Sequence, residues 1–117
     1  MLKINPGIKI YVSIKPIDAR KSIDGLMSLV QTNNFQPQSG HLFLFFNKAR
    51  DKVKCIYWDR NGYVLHYKRL EKHKFSIPKL HPSTHLEITE TQLQGLLAGL
   101  DFMLMAQFSE INYSQYA

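Results

Sequence analysis

Nine Lys or Arg residues lie between positions 48 and 74 of this 117-residue chain, interleaved with Trp and Tyr residues. Three acidic residues accompany them, so the segment carries a formal charge of +6, which equals the net charge of the whole chain. Lys and Arg side chains neutralise phosphates, and aromatic rings stack on bases. The residue types and their spacing therefore predict a nucleic-acid contact surface, although a solvated sheet face around core aromatics has the same composition.

Two further basic residues, Arg20 and Lys21, lie nearer the N-terminus. They follow Asp18, the predicted cap of a helix, where positive charge is unfavourable to the helix dipole. An external phosphate would relieve this conflict, and so would pairing of Arg20 with Asp24 four residues later. The predicted nucleic-acid-binding residues are Arg20, Lys21, Lys52, Lys54, Trp58, Arg60, Tyr63, Tyr67, Lys68, Arg69, Lys72 and Lys74.

Catalytic and metal-binding chemistry finds less support in the sequence. A two-metal nuclease needs converging carboxylates, but Asp18 and Asp24 lie six positions apart, which does not place them together on a helix. Cys55 and His66 could supply a thiol and its base, yet both fall in an apolar hairpin, where a structural cysteine is commoner. No zinc-site spacing connects His73, His81 and His85. We therefore predict no catalytic residue, no metal and no cofactor.

Length and composition favour one small domain with a single core, because 44% of the 117 residues are hydrophobic. No apolar run approaches the ~20 residues that cross a bilayer, and the N-terminus lacks the apolar stretch of a signal peptide. The only cysteine cannot form an internal disulfide. We expect a cytoplasmic protein without a membrane partner, folded as a single domain over 1–117 with a core at about 7–102 and a tail at 103–117.

Local patterns predict an α+β fold in which a mainly antiparallel β-meander packs against two helices. Apolar residues recur at helical spacing after Asp18, and again after Thr89, where Gln92 completes a capping box. Alternating, β-branched and aromatic runs predict the strands. The predicted elements are strands at 8–14, 42–46, 53–58, 63–70 and 75–77, helices at 18–33 and 89–100, and a loop at 79–85.

The Asn61-Gly62 pair predicts the tight turn of the basic hairpin, because Asn and Gly tolerate positive φ angles. Side chains alternate along a strand, so a two-residue loop at 61–62 decides which residues share a face, whereas a four-residue loop would alter the register. One predicted face carries Lys54, Ile56, Trp58, Arg60, Tyr63, Leu65, Tyr67 and Arg69. The other carries Val53, Cys55, Tyr57, Val64, His66, Lys68 and Leu70.

Several segments, in order, resemble a known family. They are DARKSIDGL at 18–26, SGHLFLFF at 39–46, KCIYWDRNGYVLHYKRLEKHKF at 54–75 and ITETQLQGLLAGLDF at 88–102. Together they resemble the TnpB-type accessory protein, encoded by the second open reading frame, of the insertion-sequence sixty-six family of bacterial transposons. The resemblance implies an accessory factor for transposition that works beside a separate transposase and has no catalytic activity of its own.

Charge pattern and resemblance together predict a non-catalytic protein that binds transposon-end or target DNA through the basic meander. Its less charged C-terminal surface would contact the transposase of the same element or another copy of itself. Two alternatives stay open. One is a protein adaptor whose basic face meets an acidic partner without touching DNA, and the more remote one is a metal-dependent nuclease subunit.

Overall fold

The computed structural model describes residues 4–77 and 83–99 of the chain. Its strands are β1 (Ile10–Ser13), β2 (Leu42–Phe46), β3 (Lys52–Asp59), β4 (Gly62–Arg69) and β5 (His85–Ile88). Its helices are α1 (Ile23–Thr32) and α2 (Glu90–Leu97), and a short 3₁₀ turn spans Pro37–Ser39. The strands form one sheet in the order β4-β3-β2-β1-β5. β2, β3 and β4 form an antiparallel meander, while β1 is parallel to β2 and antiparallel to β5, so the predicted α+β class is confirmed.

The middle strand β2 is buried along its whole length, as its unbroken apolar sequence LFLFF predicts. Phe43 and Phe45 pack with Leu26 and Val30 of α1 on one face of the sheet. The alternate residues of β2 lie on the opposite face, in a core that includes Leu93 and Leu96 of α2 together with Phe75 and Ile77. We call these two sides the α1 face and the α2 face. The sheet is therefore covered on both sides at its centre.

α1 begins later than predicted, with Ser22 rather than Asp18 as its N-cap residue. The Asp18 carboxylate accepts a hydrogen bond from the Arg20 backbone N–H at 2.8 Å and another from its guanidinium at 2.7 Å. An aspartate that bonds to backbone two residues ahead stabilises a turn and competes with helix formation. The predicted Asp18 cap is therefore wrong, and Arg20 pairs with Asp18 instead of Asp24.

The hairpin turn is displaced by one residue from its predicted place. Gly62 pairs with Asp59, so the two-residue loop is Arg60-Asn61, and Arg60 has the positive φ of 54° that was expected of Asn61 and Gly62. The additional ladder pair extends both strands toward the turn. Because both ends of the loop move by one residue, each residue of β3 pairs with a residue of β4 two positions away from the predicted partner, and both of these point to the same face. The predicted composition of the two strand faces is therefore confirmed, except that Arg60 lies in the turn.

The C-terminal part of the sheet differs from the prediction. Residues 75–77 are not a strand; Phe75 N–H donates to the Arg50 carbonyl at 2.7 Å, and the Arg50 guanidinium donates to the Ile77 carbonyl at 2.6 Å. Their side chains fill the core on the α2 face without a strand partner. β5, at His85–Ile88, went unpredicted, because a four-residue strand depends on pairing with β1, which lies far away in sequence.

The predicted cap of α2 is confirmed. Thr89 Oγ1 accepts from the Gln92 backbone N–H at 3.1 Å, and Gln92 Oε1 accepts from the Thr89 N–H at 2.9 Å, which forms a complete capping box. The helix ends at Leu97, and residue 100, the predicted end, lies outside the described residues.

The substitution Thr89→Ala should lower the free energy of unfolding by about 1 kcal/mol, because the Gln92 backbone N–H at the start of α2 loses its side-chain acceptor. Urea denaturation followed by circular dichroism would measure the change. Thr91→Ala is the matched control, since Thr91 is exposed within the same helix and Ala favours helix at that position. Equal effects of the two substitutions would contradict a stabilising capping box.

Candidate nucleic-acid interface

The topology gathers most of the described basic residues at one end of the sheet. β1 and β2 end there, β3 begins there and β4 finishes there, while Ile17 bridges to Asn47 and brings the segment before α1 to the same place. Leu70 and Phe75 bond to Asp51 and Arg50, which fixes residues 71–74 beside them. We call this region the basic end; it contains Lys15, Arg20, Lys21, Lys48, Arg50, Lys52, Lys54, Lys68, Arg69, Lys72 and Lys74.

Cross-strand pairs of β3 and β4 carry basic and aromatic residues together on the α1 face. Lys52 lies opposite Arg69 at the basic end. Lys54 lies opposite Tyr67, and Trp58 lies opposite Tyr63 near the turn. Because these side chains alternate with those of the other face, the sheet itself brings predicted phosphate-contacting and stacking residues into one row.

Lys54 differs from the other cations of the basic end because its side chain is almost completely buried. Its ammonium donates to the Ala19 carbonyl at 2.7 Å and to the Lys21 carbonyl at 2.6 Å. The same ammonium lies 5.4 Å from the centre of the Tyr67 ring. Lys54 therefore fastens the segment that carries Arg20 and Lys21 to the basic hairpin, and its charge is engaged within the protein.

Some exposed cations of the basic end are paired with carboxylates. Arg20 pairs with Asp18 at 2.7 Å, and hydrogen bonds from Arg20 hold the pKa of Asp18 well below its usual range. Arg69 pairs with Glu71 at 2.8 Å, which raises the pKa of the guanidinium.

Other cations at this end are unpaired. Lys48, Lys72 and Lys74 are exposed and form no ion pair with any residue in the described ranges. These three lysines are thus free to meet an anion. Sequence reasoning omitted Lys48 from the predicted set; its position in the turn that leads into the basic strand β3 is the signal that would have included it.

The three predicted stacking residues differ in accessibility. Trp58 and Tyr63 are half-buried and touch each other edge to face, with ring centres 5.0 Å apart. Tyr67 is 53% exposed, and it is the large hydrophobic side chain that the described part of the chain leaves open to solvent. Of the three, Tyr67 is the ring best placed to meet a base.

Two predicted contact residues lie apart from this row. Arg60 occupies the turn at the far end of the hairpin, roughly 25 Å away along the strand. Lys68 projects from the α2 face, where its ammonium donates to the Leu97 carbonyl at 2.7 Å and satisfies the C-terminal end of α2. Arg60 is thus far from the basic end, whereas Lys68 is at the basic end but lies on the face opposite to the row of predicted contact residues.

The α2 face contains an apolar groove of about 410 Å³ between the hairpin and α2. Cys55 lies in its wall, and burial raises the pKa of the Cys55 thiol to about 12. His66 is the cross-strand neighbour of Cys55, but its ring stacks on Tyr57, with His66 Nε2 at 3.3 Å from the Tyr57 hydroxyl. The thiol therefore has no base bonded to it, and the geometry gives no support to a Cys-His nucleophile. The remaining lining residues are Leu44, Val53, Tyr67, Lys68, Leu93 and Leu97.

The described part of the chain contains neither a cluster of metal ligands nor a membrane-spanning helix. Over residues 4–77 and 83–99, no group of three or more His, Cys, Asp or Glu side chains is arranged to hold a metal ion. His81, one of the three histidines considered above, lies outside these ranges. Neither helix in the described chain is long and apolar enough to span a bilayer.

Comparison with known proteins identifies the family. The family model described as IS66 Orf2 like protein matches residues 8–107. The chain belongs to this family. The IS66 Orf2-like match accounts for the family resemblance of the sequence and indicates a transposition-associated accessory role.

Two curated proteins of Sinorhizobium fredii (strain NBRC 101917 / NGR234) are similar to this IS66 Orf2-like chain. The uncharacterized protein y4jC is 35% identical over 103 residues, which cover 87% of each chain. The uncharacterized protein y4hO is 28% identical over 103 residues, which cover 87% of this chain and 89% of the relative. No solved structure shows a significant match.

Replacing Lys54→Met should lower the free energy of unfolding by about 2 kcal/mol, because two carbonyls lose a charged hydrogen-bond donor while the aliphatic stem is kept. Urea denaturation would measure this loss. Lys52→Met is the matched control, since Lys52 is a less buried lysine on the same face and pairs with Asp51 at 3.4 Å. A loss no larger than that of the control would contradict a structural role for Lys54.

The native Cys55 thiol should react with a thiol-specific reagent at pH 8 roughly three orders of magnitude more slowly than the thiol of the urea-unfolded chain. The reason is that a pKa of about 12 leaves little thiolate, and the side chain is buried. Absorbance with a disulfide reagent would measure both rates. Comparable rates in the two states would show that the groove exposes an activated thiol.

Proposed function

We propose that this protein is a non-catalytic accessory factor of transposition that binds DNA through the basic end of its sheet and assists the transposase of the same element in the cytoplasm. The observation that carries the proposal is the convergence of basic segments distant in sequence at one end of the sheet. The exposed lysines at this end that form no ion pair within the described residues are available to an external anion. Phosphates are the ligands that such clusters attract.

The proposed contacts are mainly to the DNA backbone. Exposed Lys and Arg side chains on turns and strand ends supply phosphate contacts, which fix position without reading sequence. Neither described helix presents a row of base-reading side chains, so specificity for a particular transposon end would come from the transposase. The proposed contact residues are Arg20, Lys21, Lys48, Lys52, Tyr67, Arg69, Lys72 and Lys74, with Lys54 as the residue that positions them.

A protein adaptor is the second candidate function, and the apolar groove on the α2 face favours it. The groove is lined by Leu93 and Leu97 of α2 and by the centre of the hairpin, away from the row of cations on the α1 face. An apolar segment of the transposase would bury this surface. Both functions can coexist, because the groove is on the α2 face and the row of cations is on the α1 face, with Tyr67 of the edge strand β4 bordering both. Together the two surfaces would bridge DNA and transposase.

Removing two unpaired charges with Lys72→Ala/Lys74→Ala should weaken DNA binding and reduce the slope of log affinity against log salt by about 1.8, since each phosphate contact contributes about 0.9. Fluorescence anisotropy across a salt series, with a labelled transposon-end duplex and a scrambled duplex of equal length, would measure both quantities. The two duplexes should bind alike.

Lys9→Ala/Arg60→Ala is the matched control, because it removes the same charge from the other end of the sheet. An equal effect of the two double variants would mean that overall charge, not the basic end, governs binding. Absence of binding to either duplex even at low salt would overturn direct contact with duplex DNA and favour the adaptor, which co-elution with the purified transposase would then test.

A further inference from the structure

Among the aromatic residues that the structure describes, Tyr67 alone combines three properties. It is 53% exposed, it lies on the same face as the Lys52 and Arg69 pair, and it is held by a cation beside its ring. Arg69 is two residues further along the strand, which places it about 7 Å away on the same face. A nucleotide whose base lay on Tyr67 would therefore have phosphate-binding side chains within reach.

The position of Tyr67 on the sheet leaves one side of its ring open. The Lys54 ammonium lies 5.4 Å from the ring centre, on the side of β3, and its hydrogen bonds to Ala19 and Lys21 keep it there. Within residues 4–77 and 83–99, β4 is the edge strand of the sheet, so no further strand from these ranges covers the outer side of the ring. A ring that is fixed on one side and open on the other loses little conformational freedom when a base stacks on it.

A paired duplex does not offer such a base. Bases in a duplex are stacked on their neighbours, and their flat faces become available only when the strand is single or the base is turned out. Basic grooves with exposed aromatic rings are the means by which proteins hold single strands without reading sequence.

We propose that the ligand of the basic end is DNA with unpaired bases, and that one base stacks on the outer face of Tyr67 while Lys52, Arg69 and their neighbours hold the adjacent phosphates. This inference rests on the proposed function and names the form of DNA that the site takes. Such a site would act where the strands of the transposon or target DNA are separated.

The test compares Tyr67→Ser with Tyr67→Phe and with the unchanged protein, using a labelled oligothymidine 20-mer and a labelled 20-base-pair duplex at one salt concentration. The unchanged protein should bind the single strand more tightly. Tyr67→Ser should weaken single-strand binding about 5- to 100-fold and change duplex binding less than about twofold. Tyr67→Phe keeps the ring and should bind the single strand within about twofold of the unchanged protein.

Other results would contradict either the stacking site on Tyr67 or the proposed function as a whole. Duplex binding that equals or exceeds single-strand binding, or a Tyr67→Ser variant that binds the single strand normally, would overturn the stacking site while leaving DNA binding by the basic end intact. No binding of either DNA at low salt would overturn the proposed function together with this inference. Unfolding midpoints of both variants, measured by circular dichroism, would separate lost stacking from lost folding.

Discussion

The strand β2 imposes the main constraint on this molecule. Its five consecutive apolar residues must be covered on both faces, which requires α1 on one side and α2 with residues 75–77 on the other. Charged side chains are therefore excluded from the centre of the sheet and collect at strand ends, in turns and on the edge strand β4. The basic end follows from this exclusion, because the segments before α1, between β2 and β3, and after β4 all reach the same end.

Lys54 is an exception to this exclusion, because its charged side chain is buried against the sheet and binds the segment before α1. A buried ammonium needs hydrogen-bond acceptors, and the carbonyls of Ala19 and Lys21 supply them at the beginning of the path toward α1. The bond holds two distant basic segments in one place and orients Tyr67 through its ring. A residue that looks like a phosphate contact in the sequence thus serves to arrange the contacts made by others.

The two faces of the hairpin have separate chemistry. On the α1 face, cations and an exposed aromatic ring form a surface suited to a flexible, negatively charged chain. On the α2 face, the groove beside Cys55 and Leu97 is apolar, and its thiol is kept protonated by burial. In the proposed function, the α1 face would contact DNA and the α2 face would contact a protein, and the transposase would carry out the chemistry.

The sequence alone determined β2, the two faces of the hairpin and the capping box of α2, because each depends on residues near one another in the chain and on strict alternation or spacing. It also determined the family and the basic, aromatic character of the surface. Tertiary structure decided the rest. The pairing of β5 with β1, the packing of Phe75 and Ile77 outside any strand, the burial of Lys54 and the bond from Lys68 to the end of α2 all depend on contacts between distant segments. The pattern of neighbouring residues does not indicate whether a long side chain binds a distant carbonyl, caps a helix end or extends into solvent.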